Sequence, residues 1–426
     1  MIAILIISLL LLFLLGVPVA ISLGLSSALA LLAAGDMPLA TVAQRSFVAL
    51  DSFPLMAIPL FILAGVIMEY GGISQKLINL ANSLTGHLSG GMAIVTVITT
   101  MFFAAISGSS VAATAALGSI LVPAMIRRGY HKEFAGGVQA VSGTLGIILP
   151  PSIPLILYGV AAGASIGDLF IASMLPGIII GIGLIVTVVI ISKRRNYIKE
   201  PKASGKVVLQ SFWEAIPAII MPFIILGGIY SGIFTATEAA AVAVVYAFIV
   251  SIFIYKGIGI KNIRTVLTSA TETTASIMFI LATAGLFSWI LTIENIPQQV
   301  AQTITSVTDN SMVFLLLVVL LLLFVGMFME TNASIIILAP ILVPIASEIG
   351  VDPVHFGVVM IVALALGMVT PPLGLNLFIV GKIGNIRIDQ LTKALIPFYI
   401  TVLIAIALIT FIPAISLGPV QFFDTK

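Results

Sequence analysis

Cysteine is absent from all 426 residues, which removes disulfides, thiolate metal sites and cysteine nucleophiles at once. Charge is almost as scarce: 8% of residues are charged and 60% are hydrophobic, against roughly 25% charged in soluble globular chains. A soluble fold is excluded. Histidine occurs three times (His87, His131, His355), each near the end of an apolar run, and His87 and His131 read as solvated loop residues. No G-x-x-x-x-G-K-[ST] occurs, so the chain has no phosphate-binding loop with which to hydrolyse ATP. An intramembrane enzyme would need His, Cys or paired acids inside its spans, and apart from Glu330 they offer hydroxyls without a base. Neither an enzyme, nor a cofactor, nor nucleic acid as a partner is expected.

What remains is an all-α polytopic membrane protein. A helix rising 1.5 Å per residue needs about 20 apolar residues to cross about 30 Å of hydrocarbon. That length places spans at 1–34, 54–70, 131–165, 169–192, 213–232, 237–256, 271–293, 354–382 and 395–415. The first 15 residues carry no charged n-region and no cleavage pattern, so 1–34 is expected as a retained span bent near Gly16-Val17-Pro18. Two further stretches, 90–126 and 311–347, are interrupted at mid-length by Ser107-Gly108-Ser109-Ser110 and Glu330-Thr331-Asn332, and read as re-entrant hairpins. Ile73, Leu77, Leu80, Ala81 and Leu84 share a helical face, as do Ile296, Val300, Ile304 and Val307. Each set predicts an amphipathic arm in the membrane interface.

Basic residues set the orientation. Loop 193–210 holds six of the 18, Lys193, Arg194, Arg195, Lys199, Lys202 and Lys206, and is assigned to the cytoplasm. Alternation then places Lys76, Arg127, Arg128, Lys132, Lys256, Lys261, Arg264, Lys382, Arg387 and Lys393 inside. Asp36, Asp51, Asp168, Glu294, Asp309, Glu348 and Asp352 fall outside, with the N-terminus cytoplasmic and the C-terminus periplasmic.

An internal repeat lies at an offset of 221 residues, pairing 117–176 with 338–397. The identities fall on structural punctuation: Pro123 with Pro344, Gly129 with Gly350, Gly136 with Gly357, Gly146 with Gly367, Pro150-Pro151 with Pro371-Pro372. Upstream, FILA at 61–64 recurs at 279–282. The matching loops carry opposite charge, Arg127 and Arg128 against Glu348 and Ile349, so the copies are inverted, as in secondary transporters. The expected division is a first helix 1–34, a first repeat 35–192, a cytoplasmic linker 193–212, scaffold helices 213–268, a second repeat 269–418 and a periplasmic tail 419–426.

In each repeat a polar hairpin tip is followed by a span bearing Gly and Pro-Pro: GTLGIILPPSIP at 143–154 and LGMVTPPLGLN at 366–376. Two prolines remove two backbone donors and disfavour helix before them, so each span must unwind. Such a break persists in hydrocarbon where its carbonyls face a cavity or a ligand. A lone kink is ordinarily packing; two symmetry-related breaks, each beside a polar hairpin, point to function. Carbonyl and hydroxyl oxygens suit a hard monovalent cation such as sodium. Opposed half-helix N-termini would meet an anion. Elsewhere, Thr235 and Glu238 form a capping box at the start of a span. Trp213, Trp289 and Tyr230 read as an interfacial aromatic belt.

FPLMAIPLFILAGVIM at 53–68, GIFTATEAAAVAVVYA at 232–247, the SGSS tip and the paired breaks resemble the large membrane subunit of a tripartite ATP-independent periplasmic (TRAP) transporter. The resemblance covers essentially the whole chain. It implies an elevator-type, sodium-coupled transporter of the bacterial inner membrane, assembled with a small membrane subunit and fed by a periplasmic binding protein. A small organic acid is the implied substrate, with sialic acid first and a C4-dicarboxylate next. One sodium site would then use Ser107, Ser109, Gly143, Gly146, Ile148 and Pro150, and the other Glu330 or Thr331, Asn332, Gly367, Thr370 and Pro372. Substrate would lie between them, near Ser109, Ser110, Pro151, Glu330, Asn332 and Pro371. Stand-alone symporters of similar fold carry Ser-Asn-Thr at both tips. This chain has Ser-Gly-Ser-Ser and Glu-Thr-Asn-Ala, so their carboxylate contacts do not carry over. A stand-alone sodium symporter is the alternative reading.

Overall fold

The computed structural model describes every residue except Asp36, Ile198, Thr308, Asp309, Thr425 and Lys426, and only the backbone of Ile260, Lys261, Ala301, 303–307 and Asp424. The expected outer-face positions of Asp36 and Asp309, and the side chains of Lys261, Ile304 and Val307, therefore lie outside the described residues. The described residues contain helices and no strand.

In chain order, helices α1 (Ile2–Leu14), α2 (Val19–Ala34) and α3 (Ala40–Leu50) are followed by a 3-10 turn, Phe53–Met56, that opens α4 (Ala57–Tyr70). The arm α5 (Ile73–Thr85) leads to the first hairpin, α6 (Gly91–Ser107) and α7 (Ser110–Arg127). The first broken helix comprises α8 (Lys132–Gly143), the single turn α9 (Leu145–Ile148) and α10 (Ile153–Ala162), before α11 (Ile166–Arg194). Then come α12 (Gly205–Tyr230), α13 (Ala236–Ile249) with a π turn at Val250–Ile254, α14 (Ile260–Ile293) and the arm α15 (Ile296–Val307). The second hairpin is α16 (Ser311–Gly326) and α17 (Thr331–Glu348), and the second broken helix α18 (Pro353–Gly367) and α19 (Leu375–Gly384). Helices α20 (Ile388–Phe411) and α21 (Ala414–Asp424) end the chain. Among the described residues eight helices are long and apolar enough to cross a membrane, nine if the bent pair around 149–152 counts as one span. Large apolar side chains such as Phe223 and Phe253 are about 70% exposed, as a lipid-facing rim requires.

Three expectations need correcting. Residues 1–34 form two helices packed along one another rather than one bent span. The turn is closed by Gly16 N donating to Phe13 O and Val17 N to Leu12 O, both 3.0 Å, with Gly16 at φ 74°. Thirteen residues reach only about 20 Å. The chain therefore turns back at Gly16 and α2 runs beside α1. Small buried residues on α2, Ser22, Ser26, Ser27 and Ala30, make the close packing possible, and Gly24 sits against Thr283 of α14.

Second, helix continues through 419–424, where a tail was expected, and α21 packs on α11. His355 pins this end, with Nδ1 2.6 Å from Ser416 Oγ and Nε2 3.3 Å from Thr410 O. Third, His87 is not a solvated loop residue, whereas His131 is exposed in the loop before α8, as expected, with its Nδ1 2.8 Å from Tyr197 Oη; Tyr197 packs at a tilt on Tyr130 at 4.3 Å. His87 is half-buried, with its Nδ1 buried and unpartnered. The linker is helical up to Arg194 and again from Gly205, and Glu200 fastens the stretch between by bonding Arg128 at 2.8 Å and Asn82 at 3.1 Å. Helix α3 was not foreseen. It packs on α14, where Arg45 lies 4.4 Å over the Trp289 ring.

The capping box is present: Thr235 N donates to Glu238 Oε2 at 2.8 Å and Glu238 N to Thr235 Oγ1 at 3.3 Å. The repeated glycines are notches by which each copy receives the other. A Cβ on Gly357 would fall 2.3 Å from the Tyr158 ring of the first copy, and one on Gly136 would meet Val380, Ile386 and Leu391 of the second within 2.9 Å. Tyr158 Oη also donates to Pro353 O at 2.6 Å.

Because the chain lacks cysteine, single cysteines report topology without background. Ala3→Cys and Leu39→Cys are expected to react with a membrane-impermeant maleimide from the same face of right-side-out vesicles; labelling from opposite faces would restore a single span.

Candidate functional site

Each hairpin tip is driven into the break of its own repeat's interrupted helix. In the first copy α6 ends at Ser107 and Gly108 takes φ 59°, the left-handed conformation that reverses the chain. Gly108 O accepts from Ile153 N at 3.3 Å, so the tip satisfies the first backbone donor of the restarted helix. In the second copy Met327 O accepts from Leu373 N, also at 3.3 Å. Both Pro-Pro bonds, 150–151 and 371–372, are cis. Ser152 restarts the helix as N-cap, donating to Ile147 O at 2.6 Å and accepting from Leu155 N at 3.4 Å.

The repeated glycines of the breaks permit this contact. A Cβ on Gly146 would lie 2.6 Å from Ser109 O, and one on Gly367 would lie 2.5 Å from the backbone of Gly326. Residues related by the offset also cap the tips alike. Ser109 Oγ accepts from Ala112 N at 3.3 Å, and Glu330 Oε2 accepts from Ala333 N at 3.2 Å and Asn332 N at 2.9 Å. Glu330 Oε1 takes Asn332 Nδ2 at 2.8 Å. Glu330 is therefore the N-cap of α17, a stabilising place for a carboxylate beside the positive end of a helix dipole.

A cavity of about 790 Å³ separates the tips from α2, α4 and α14. Ser107, Ser109, Ser110, Glu330 and Asn332 line one wall; Glu69, Ser269, Thr273 and Ser276 line the facing one. No Lys or Arg is among the described residues of the lining. The buried Ser107 Oγ and Asn332 Oδ1, together with Thr331 Oγ1 just behind, have no partner within the described chain and are free to ligate. No group of three His, Asp or Glu able to hold a metal occurs among the described residues.

Not every sequence-derived position gathers here. Ile148, Gly143, Gly146, Pro150 and Pro151 lie behind the first tip, buried and away from the cavity. In the second break Thr370 Oγ1 donates to Leu366 O at 2.7 Å, Pro371 is half-buried and Pro372 is exposed; none of these lines the cavity. Met368 of the second break and Ile147 of the first do line it. The sequence missed Thr114, Ser142 and Asn376, all buried with unpaired oxygens behind the first tip. Asn376 was passed over because its counterpart at the repeat offset is Leu155, so no recurrence marks it.

Two repeats, each joining a hairpin to an unwound helix, define the architecture of a polytopic membrane transporter. The chain belongs to the family described as "Tripartite ATP-independent periplasmic transporter, DctM component", matched over residues 6–415, and is a multi-pass large permease of that family. It is 44% identical over 403 residues to the isethionate TRAP transporter permease protein DctMQ of Oleidesulfovibrio alaskensis, covering 94% of this chain and 64% of that protein. It is 42% identical over 397 residues to the C4-dicarboxylate large permease DctM of Pseudomonas aeruginosa, covering 93% of each. To the sialic acid large permease SiaM of Vibrio cholerae it is 38% identical over 402 residues, covering 94% of each. The solved YdaH transporter of Alcanivorax borkumensis shares the fold at a TM-score of 0.64 and 16% identity, over 89% of this chain and 88% of that one.

Gly146→Ala and Gly367→Ala place a Cβ against backbone that cannot swing aside. Each is expected to cost about 1–3 kcal/mol, read as a lowered thermal midpoint of the solubilised protein. Gly227→Ala, with nothing within 4 Å of the added atom, should stay at the wild-type value.

Proposed function

We propose that this chain is the transport subunit for sodium-coupled uptake of a small organic acid across the bacterial inner membrane, working by an elevator motion. The observation that carries the reading is the charge of the cavity: among the described residues an anion entering it meets Glu69 and Glu330 and no basic side chain. An unpaired charge taken out of water costs several kcal/mol, so a counter-charge must arrive with the substrate. Sodium at the free tip oxygens supplies it. Two sodium ions with one monoanion carry net positive charge inward, and each such charge gains about 2.3 kcal/mol per 100 mV.

The scaffold wall favours sliding. Helix α14, 34 residues long, lines the tip cavity with Ser269, Thr273 and Ser276. Further along it lines a second cavity of about 480 Å³ with Ser288 and Thr292, beside Arg45. We read the first as open toward the cytoplasm and the second as space into which the hairpins and broken helices rise. The moving body bears on α1–α4 and α12–α14.

The tripartite family name points to a small membrane subunit and a periplasmic binding protein as partners. Identity is higher to the relatives named for isethionate and C4-dicarboxylate than to the one named for sialic acid, which moves the smaller acids ahead of sialic acid as substrate. Proteoliposomes holding the chain, its small subunit and the binding protein should take up the acid at least tenfold faster in a sodium gradient than in a potassium one, and faster still with the interior negative. Uptake indifferent to both sinks the mechanism, and sodium-driven uptake without the binding protein favours the stand-alone symporter. Isethionate, succinate and sialic acid titrated against the binding protein name the substrate.

A further inference from the structure

Asn376 ties the second break to the first hairpin tip and the first broken helix. Its backbone N donates to Met368 O at 3.1 Å, closing the loop of the second break onto the end of α18. Its side chain leaves that repeat: Nδ2 donates to Ser110 Oγ at 2.8 Å, in the first tip, and to Ala140 O at 3.0 Å, in the first broken helix. Asn376 is 0% exposed and Ser110 1%.

The neighbourhood is shaped around this amide. A Cβ on Gly143 would lie 3.2 Å from Asn376 Nδ2 and on top of Thr114 Oγ1, so the missing side chain at 143 is what admits them. Asn376 Oδ1 and Thr114 Oγ1 are buried without partners. A buried amide that spends both donors across a repeat boundary fixes one geometry, because the alternative is unsatisfied groups in a dry interior. The position has no twin: its counterpart is Leu155, and Ala140 corresponds to Ile361.

We propose that Asn376 is a positioning residue coupling the two cation sites. Ordering the 368–376 loop by a cation at the second break holds the Asn376 backbone still. The amide then holds Ser110 and the Ala140 carbonyl in the arrangement that the first site and the anion require. Occupancy of either site therefore raises affinity at the other, by the reciprocity that any coupling obeys. This rests on the sodium reading proposed above.

The test is the sodium dependence of uptake by the complete transporter in proteoliposomes, for the wild type, Asn376→Leu and Asn376→Asp. The first variant removes both donors at similar volume; the second keeps the shape and puts an acceptor against the Ala140 carbonyl. The wild type is expected to give a Hill coefficient near 2. Both variants should fall toward 1, with half-saturating sodium raised about tenfold. A residue that only stabilised the fold would lower the amount of active protein and leave the shape of the sodium curve unchanged. A cooperative wild type with variants of the same Hill coefficient and half-saturation overturns the coupling and leaves the sodium reading standing. A wild type without sodium dependence overturns both. Where the leucine variant does not yield monodisperse protein the aspartate variant decides, and failure of both assigns Asn376 to folding and overturns the proposal.

Discussion

Backbone polarity inside hydrocarbon is the constraint from which the rest of this architecture follows. An unsatisfied amide there costs several kcal/mol, and double prolines at 150–151 and 371–372 interrupt two helices whose own ladders can no longer answer it. Each break is met by the carbonyl of a hairpin tip, Gly108 for Ile153 and Met327 for Leu373. That need explains why the hairpins turn back inside the body, why glycine stands at 146 and 367, and why the tips are capped by side chains from their own first residues. The hydroxyls and carbonyls left over are then concentrated where a ligand can use them.

The broad plan was legible in the sequence because it is written in residues with few alternatives. Proline pairs, a repeat of glycines and a reversal of loop charge allow little besides inverted, interrupted helices. Three kinds of feature were not legible. The turn at Gly16-Val17-Pro18 looks the same for a kink and for a reversal; only the small face of α2 against its neighbours decides. Amphipathic α3 is short, and its packing on α14 is a tertiary fact. Asn376 sits in a quoted motif yet carries no periodic or symmetric signal, and its two partners lie 266 and 236 residues away.

Symmetry of backbone coexists with asymmetry of chemistry. Ser109 and Glu330 occupy equivalent caps, so the same structural task is done by a neutral hydroxyl in one copy and a carboxylate in the other. Pro150 and Pro151 are buried while Pro372 is exposed, which leaves the second break closer to the surface of the chain. Two sites built on one backbone plan thus need not bind alike.

The reciprocal notches have a consequence for ancestry. Tyr158 fills the space left by Gly357, and Val380 and Leu391 fill that left by Gly136, so each copy completes the interior of the other. Neither half contains a finished core. A single copy on its own would leave these notches and the side chains that fill them unmatched unless it paired with a second copy. Once fused, the two halves could diverge in their polar residues while the glycines at their shared boundary stayed bound to each other's side chains.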